Sequence, residues 1–459
     1  MALATTTSKK ACTVNPLKMS QPIGAALAFL GIDRCLPILH GSQGCTSFGL
    51  VLFVRHFREA IPMQTTAMSE VTSILGGAEN VEEALLTLHK KAKPSVIGLC
   101  TTGLTETKGE DIVGAVKEFR RRHPELDEVA IVPVSTPDFV GAFQDGWAKG
   151  VTRIVEELAE GMWDDLSRRV NVLAGPYLTP ADIEEIREII TSFGLSPIIL
   201  PDLAGSLDGH VPDDFSPTTL GGTVLPEIRA MGRSRITLAM GESLRPAAEA
   251  LEKKCGVPFV VCTRLTGLEA NDRFLDLLHR LSGEEVPHKY RRQRSRLVDA
   301  MLDGHFSFGR KKIAIGAEPD LLYSMSSLFV EMGAEISAAV TTTPSPLLED
   351  VPALEVHIGD LEDLEERAAG CDLLVTHSHG RQASERLRIP LFRVGIPIFD
   401  RLGAAHQLSV GYRGTMGLIF EVANIFLSNL SGQSLEHRGP SHGSDLLAAE
   451  GCVPISGAA

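Results

Sequence analysis

Short runs rich in Val, Ile and Leu recur along this chain, and a longer amphipathic stretch follows most of them. A strand joined to a parallel neighbour needs a crossover, usually a helix, so this rhythm specifies α/β architecture with mostly parallel sheets. The pattern predicts strands over residues 35–39, 95–100 and 129–134, with helices at 78–93, 110–122 and about 147–160. Ser20 and Pro22 announce an earlier helix that stops at Gly31. A second series places strands at 170–174, 197–200, 235–240 and 258–262, a Thr179-capped helix at 181–193, and helices starting near Glu242 and Glu269. A third places strands at 312–316, 336–340, 372–377 and 391–394, after a basic helix over 288–304. An apolar helix at 411–430 closes it. The Gly-, Pro-, Asp- and Ser-rich stretch 201–222 reads as an ordered surface loop.

The whole reads as three Rossmann-like units. Residues 1–165 form the first, 166–287 the second and 288–430 the third, followed by a flexible tail over 431–459. A length of 459 residues agrees, at roughly 150 residues per domain. No short-period repeat is legible.

The chain is acidic, with a formal charge of −14 and 5% aromatic residues. That field repels nucleic acid and anionic membranes, and few rings are available for stacking on bases. Residues 1–16 lack an apolar core of the secretory type, and the longest apolar run, 23–32, is too short to span a bilayer. Eight scattered cysteines form no disulfide framework. A reduced, cytoplasmic protein is expected, without nucleic-acid or membrane partners.

Nucleotide signatures are absent: no P-loop, no G-x-G-x-x-G after a strand. A nucleophile elbow is missing too. Gly76-Gly77 reads as a helix entrance. Lys289, Arg291, Arg292, Arg294 and Arg296 crowd one helix, either as a solvated or subunit-bridging face or as an anion contact. His377 and His379 follow a strand, where α/β sheets bind ligands, but two histidines do not close a metal site.

Among the cysteines, Cys35, Cys100, Cys255, Cys262 and Cys371 read as small apolar residues of strands or helix ends. Cys12 and Cys452 have no recognisable partner. Cys45 differs. It follows a strand through a loop carrying Gly41 and Gly44 and lies near a helix N-terminus, where N–H groups and the helix dipole favour an anionic sulfur. It reads either as a cluster ligand or reactive thiol, or as a buried structural cysteine.

The run Pro37-Ile38-Leu39-His40-Gly41-Ser42-Gln43-Gly44-Cys45 resembles the signature of the nitrogenase molybdenum–iron protein family, on its β-subunit side. Further blocks continue the likeness in order: Arg55-His56-Phe57-Arg58-Glu59, Thr101-Thr102 with Gly109-Glu110-Asp111, and Ser135-Thr136-Pro137 through Gly146-Trp147. Residues Leu297 to Asp303 with His305, and Pro390 to Arg401, extend it to the end of the third unit. The β subunit of that family gives three cysteines to an eight-iron cluster. Here Cys45 stands at the first position, Met63 near the second and Gly103 at the third. The resemblance therefore implies the cofactor-assembly branch, in which Cys45 gives one ligand to a [4Fe–4S] cluster bridging to a partner chain, NifE, in an α2β2 heterotetramer.

It also implies a scaffold more than a stand-alone enzyme. In that branch an iron–molybdenum cofactor precursor arrives from NifB and is held mainly by the NifE partner. It matures with molybdenum and homocitrate, assisted by the nitrogenase iron protein, and passes to the apo-nitrogenase molybdenum–iron protein. Two alternatives remain: a subunit of a related reductase, such as light-independent protochlorophyllide reductase, and an iron-free α/β ligand-binding protein.

Overall fold

The structure, a computed structural model, describes residues 4–211 and 214–436. Three sheets, parallel throughout, carry the fold. In the first, the spatial order is Gln64–Thr65, Cys35–His40, Val96–Thr101 and Ala130–Val134. Every residue of Cys35–His40 and Val96–Thr101 is buried. Helices cover both faces, which is why these strands read as unbroken apolar runs rather than alternating ones.

One covering layer is the helix Gln21–Leu30, buried along its whole length and packed against Phe143–Leu158. A Cβ at Gly24 would strike the Phe143 carbonyl, and one at Gly146 the Gln21 carbonyl. Glycine at both positions lets the two helices touch backbone to backbone. Trp147 is fully buried in this layer, and its Nε1–H donates to the carbonyl of Ala174 at 2.9 Å, tying the first unit to the second. The opposite face is covered by Ala78–Ala92 and Ile112–Arg122, through Val81, Leu85, Val116 and Phe119.

The second sheet runs Ser196–Leu200, Arg169–Leu173, Ile236–Met240, Phe259–Cys262. Its helix Pro180–Ser192 is capped as expected, with Thr179 Oγ1 accepting from the Asp182 amide at 3.1 Å. The third sheet has six strands in the order Ala4–Thr7, Glu355–Ile358, Glu335–Thr341, Lys312–Gly316, Leu373–Thr376, Leu391–Arg393. The basic helix, His288–Phe308, leads into this unit and packs along Gly411–Glu436.

Three strands carry no legible apolar run: Ala4–Thr7, Gln64–Thr65 and Glu355–Ile358. The first pairs with Glu355–Ile358 in the third sheet, although it falls within the stretch 1–165 read as the first unit. Edge pairing across the molecule places it there, and local composition is silent about that.

The middle of the stretch 201–222 is the exposed loop expected of it, with Val211 and Phe215 facing outward, but its two ends are not. Leu203, Leu207, Thr218 and Thr219 are buried. The Thr219 hydroxyl accepts from the Cys35 amide at 2.7 Å, and the Thr219 amide donates to the Cys35 carbonyl at 3.1 Å. The segment thus straps the second unit onto the first strand of the first sheet. The last helix continues to Glu436, six residues into the span read as a tail. The rest of that span, with Cys452, lies outside the described residues.

Candidate metal centre

Cys45 stands at the carboxyl end of the first sheet, in the first turn of the helix Gln43–Phe57. Three loops meet there, each leaving one strand of that sheet: 41–45, 102–103 and 135–138. They enclose a cleft of about 320 Å³ lined by Ser20, Ile23, Gly44, Cys45, Phe48, Thr102 and Asp138, among others. Cys45 is half-buried, with Sγ 3.7 Å from Ser42 Oγ. The helix N-terminus presents unpaired N–H groups and a positive partial charge on this side.

The family blocks turn out to be one scaffold for that loop. His40 is buried; its ring nitrogens bond Thr66 Oγ1 at 2.9 Å and Glu110 Oε2 at 2.7 Å. Burial pulls the His40 pKa below its usual range, against the pull of Glu110. The His40 carbonyl accepts from Thr102 Oγ1 at 2.9 Å and from Thr105 Oγ1 at 3.2 Å. Gly41 lies so close to Thr102 that any Cβ would collide with its hydroxyl. Glu110 also accepts from the Gly77 amide at 3.0 Å, so the Gly76-Gly77 turn belongs to the same brace. Glu106 holds the third loop by accepting from Ser135 Oγ at 2.6 Å, while Thr101 Oγ1 accepts from the Thr136 amide at 2.7 Å.

The other thiols among the described residues do not compete. Cys35 and Cys100 lie in the first sheet at 0% exposure, and burial pushes both far above the ordinary thiol range. Burial raises Cys262 to about 12 and Cys371 to about 11. Cys255 is also raised by burial, and Cys12 is exposed but remote in the sequence from any strand end of the first sheet. Thiols held protonated are poor ligands, because iron binds the thiolate.

Met63 is buried against Gly49, where a Cβ would fall 2.9 Å from its Cε. At Gly103 a Cβ would collide with the carboxylate of Asp138. Neither place offers a ligand, and Asp138 fills the room a third side chain would take. Among the described residues no group of three or more His, Cys, Asp or Glu is arranged to hold a metal ion.

A large apolar surface surrounds the cleft. Phe48 is 70% exposed and Phe139 62%, and Val51, Val54, Leu104 and Val140 also face outward. On the short helix Glu70–Leu75, Val71 and Ile74 are exposed, and Lys108 Nζ donates to the Thr72 carbonyl at 3.2 Å, joining this helix to Gly103–Lys108. Clusters of exposed large apolar side chains mark interaction surfaces. Sequence reasoning missed Phe48, Phe139 and Asp138, although an i, i+3 pair such as Phe48 and Val51 on a helix leaving the cysteine loop is a signal of this kind.

His377 and His379 do not form a metal site. His377 is buried; Nε2–H donates to the Leu17 carbonyl at 3.1 Å, and Nδ1 accepts from the His379 amide at 3.3 Å. Burial lowers its pKa to about 4. The His379 ring lies 5.2 Å from that of Phe399, tilted by 56°, and the Arg55 guanidinium lies 4.1 Å from the Phe399 ring centre. His56 Nδ1 accepts from the Ile398 amide at 2.9 Å, and Arg58 donates to the Phe399 carbonyl at 2.8 Å. The blocks Arg55 to Glu59 and Pro397 to Arg401 are therefore two halves of one clamp between the first and third units. Larger clefts, two of about 650 Å³ and one of about 400 Å³, open elsewhere, and none of the three is lined by a cysteine.

Three parallel Rossmann-like sheets, with a half-buried cysteine at the carboxyl end of the first, define a subunit of the nitrogenase component 1 class. The chain matches the profile of the nitrogenase component 1 type oxidoreductases over residues 20–427 and belongs to that family. It is 57% identical over 436 residues to the nitrogenase iron-molybdenum cofactor biosynthesis protein NifN of Bradyrhizobium diazoefficiens, covering 94% of this chain and 92% of that protein. To the NifN protein of a Nostoc species it is 52% identical over 422 residues, covering 92% of this chain and 95% of the relative. The solved structure of nitrogenase Cp1 at pH 6.5 superposes with a TM-score of 0.87 at 31% identity, covering 96% of this chain and 98% of that one. No described helix is long and apolar enough to cross a membrane.

Proposed function

We propose that this chain is one subunit of the scaffold on which the nitrogenase iron–molybdenum cofactor is matured, and that Cys45 gives it a single iron ligand. The observation that carries the reading is one half-buried thiol set in an exposed apolar surface, with no second ligand within reach among the described residues. A [4Fe–4S] cluster is held by four thiolates, so a partner giving three would complete the set with Cys45. The residues present fit that role. A Cβ at Gly44 would meet nothing outside its chain neighbours nearer than Ser42 Oγ at 4.0 Å, the cleft is partly apolar, and the helix N-terminus favours negative charge.

When bound, such a cluster supplies one-electron transfer between the subunits and the iron protein. The chain's own residues hold and shelter it. Cys45 coordinates, Gly41 and Thr102 fix the loop, and Phe48, Phe139 and Val140 exclude water once the partner covers them. The partner is NifE, in an α2β2 heterotetramer, and the cofactor precursor is held mainly by that partner. NifB supplies the precursor, the nitrogenase iron protein assists, and apo-nitrogenase accepts the product, all in the cytoplasm. The three units divide near residues 165, 287 and 430.

The test is Cys45→Ala in the co-expressed complex, read by iron content and electron paramagnetic resonance. Iron should fall, or the signal should change, with both chains still associated. Cys100→Ala should leave the spectrum untouched and cost about 1 kcal/mol of packing. Unaltered iron and spectrum in Cys45→Ala would defeat the site assignment.

A further inference from the structure

Ser42 stands at the position that ordinarily caps the helix Gln43–Phe57, yet its hydroxyl caps nothing. A serine there usually accepts from the amide two or three residues on, which here belongs to Gly44 or Cys45. No such bond forms, and Oγ lies 3.7 Å from Cys45 Sγ instead. Other hydroxyls around the loop are bonded to carbonyls: Thr102 and Thr105 donate to His40, and Ser47 donates to Gln43 at 3.1 Å. Among the described residues, the Ser42 hydroxyl has no partner except that sulfur.

The backbone before Ser42 is pinned through both of its polar groups. The Gly41 amide donates to Thr66 Oγ1 at 3.2 Å, and the Gly41 carbonyl accepts from the Met68 amide at 2.9 Å. Ser42 is therefore held in place before any iron arrives. It does not line the cleft beside Cys45, so a group bound there leaves the hydroxyl where it is. In the free thiol either atom can donate. An iron-bound thiolate has no proton and can only accept, so coordination fixes the hydroxyl as the donor.

We propose that the Ser42 hydroxyl donates a hydrogen bond to the Cys45 sulfur when that sulfur binds iron, and so raises the reduction potential of the bridging cluster. This role rests on Cys45 being an iron ligand, as read above. Reduction adds negative charge that the sulfurs share. A donor aimed at one of them stabilises the reduced cluster more than the oxidised one. Ser42 touches the ligand and not the iron, so it tunes the centre without joining the ligand set.

The experiment uses the co-expressed complex, with its iron counted and its cluster titrated potentiometrically under electron paramagnetic resonance. Ser42→Ala should leave the iron content unchanged and make the cluster on the order of tenfold harder to reduce, a fall in midpoint of about 59 mV for one electron. Ser42→Gly also removes the donor but keeps a residue well tolerated at a helix N-cap, so its potential should fall equally. Ser42→Thr keeps the hydroxyl and should hold the wild-type potential. A capping role alone would instead lower stability in Ser42→Ala, spare Ser42→Gly and leave the potential unmoved in both.

A wild-type potential in Ser42→Ala or Ser42→Gly overturns the proposal, as does a Ser42→Thr complex that falls with them. Beside a Cys45→Ala complex with altered iron or spectrum, either result leaves the ligand reading standing. A Cys45→Ala complex that keeps its iron and its spectrum overturns the ligand reading, and the role of Ser42 with it.

Discussion

Protonation should open the clamp between the first and third units, and His56 sets the size of the effect. Its ring is buried, and burial lowers its pKa from the usual 6.5 to about 4. Nδ1 accepts from the Ile398 amide, so a proton on that nitrogen would also break the bond. With the clamp open, His56 takes a proton once the pH falls below 6.5; closed, it resists until about 4. The clamp is therefore at full strength above pH 6.5 and weakens as pH falls through that window. At pH 5, about 1.5 units into it, the loss is about 2 kcal/mol at roughly 1.36 kcal/mol per unit, a factor of about 30 in the open population.

His377, on the facing segment and likewise lowered to about 4, adds in the same direction. Asp400 does not. Its burial would raise it, but bonds from Arg393 and Ser378 bring it to about 2, so it keeps its charge throughout. His379 is lowered by burial and by Arg55, which lies over Phe399 in the same joint. Amide hydrogen exchange over residues 394–402, corrected for the intrinsic rate, should lose at least about 30-fold protection between pH 7.5 and 5. His56→Asn keeps an acceptor near the Ile398 amide but does not titrate. It should lose clearly less protection than wild type over the same interval, whatever constant cost its smaller size carries. Equal losses in both proteins would refute the assignment of the pH dependence to His56.

Glu318 works with the opposite sign. Burial raises its carboxyl from 4.5 to about 8, so stability falls as pH rises through that range, and the advantage of Glu318→Gln in urea unfolding should grow by up to about 3 kcal/mol from pH 5.5 to 8. A constant difference would show that Glu318 ionises freely. On the apolar rim, Phe48→Ser should weaken association with the partner by about 2 kcal/mol in a titration of the two chains, with the fold intact by circular dichroism. Unchanged affinity would place the partner elsewhere.

Much of the architecture could be read in advance because parallel strands buried on both faces advertise themselves as apolar runs. The strands at 35–40, 96–101 and 312–316 are of this kind, and they stand where the pattern put them. What escaped has a shared cause. Ala4–Thr7 is held as a strand by pairing with Glu355–Ile358, some 350 residues away, and threonines at an edge carry no apolar signature. The strap around Thr219 escaped for a related reason. Its burial depends on hydroxyl and amide bonds to Cys35, which look in sequence like any polar loop.

The cysteine site was half legible, and the missing half is the more informative. Position and flanking glycines distinguished Cys45 from Cys35 and Cys100, because burial in a strand and exposure at a helix N-terminus have different local patterns. Why no second ligand stands beside this proposed one among the described residues could not be seen in one dimension. Met63 faces Gly49 in the core, and the room beside Gly103 belongs to Asp138, which lies in a different loop. Among the described residues, the lack of a further thiolate beside Cys45 thus follows from the packing around the cleft, and a cysteine inserted at residue 103 would meet the Asp138 carboxylate. On the proposed reading, a cysteine whose walls leave no room for a further ligand from the described residues, and whose rim is apolar, is placed for a partner chain to complete.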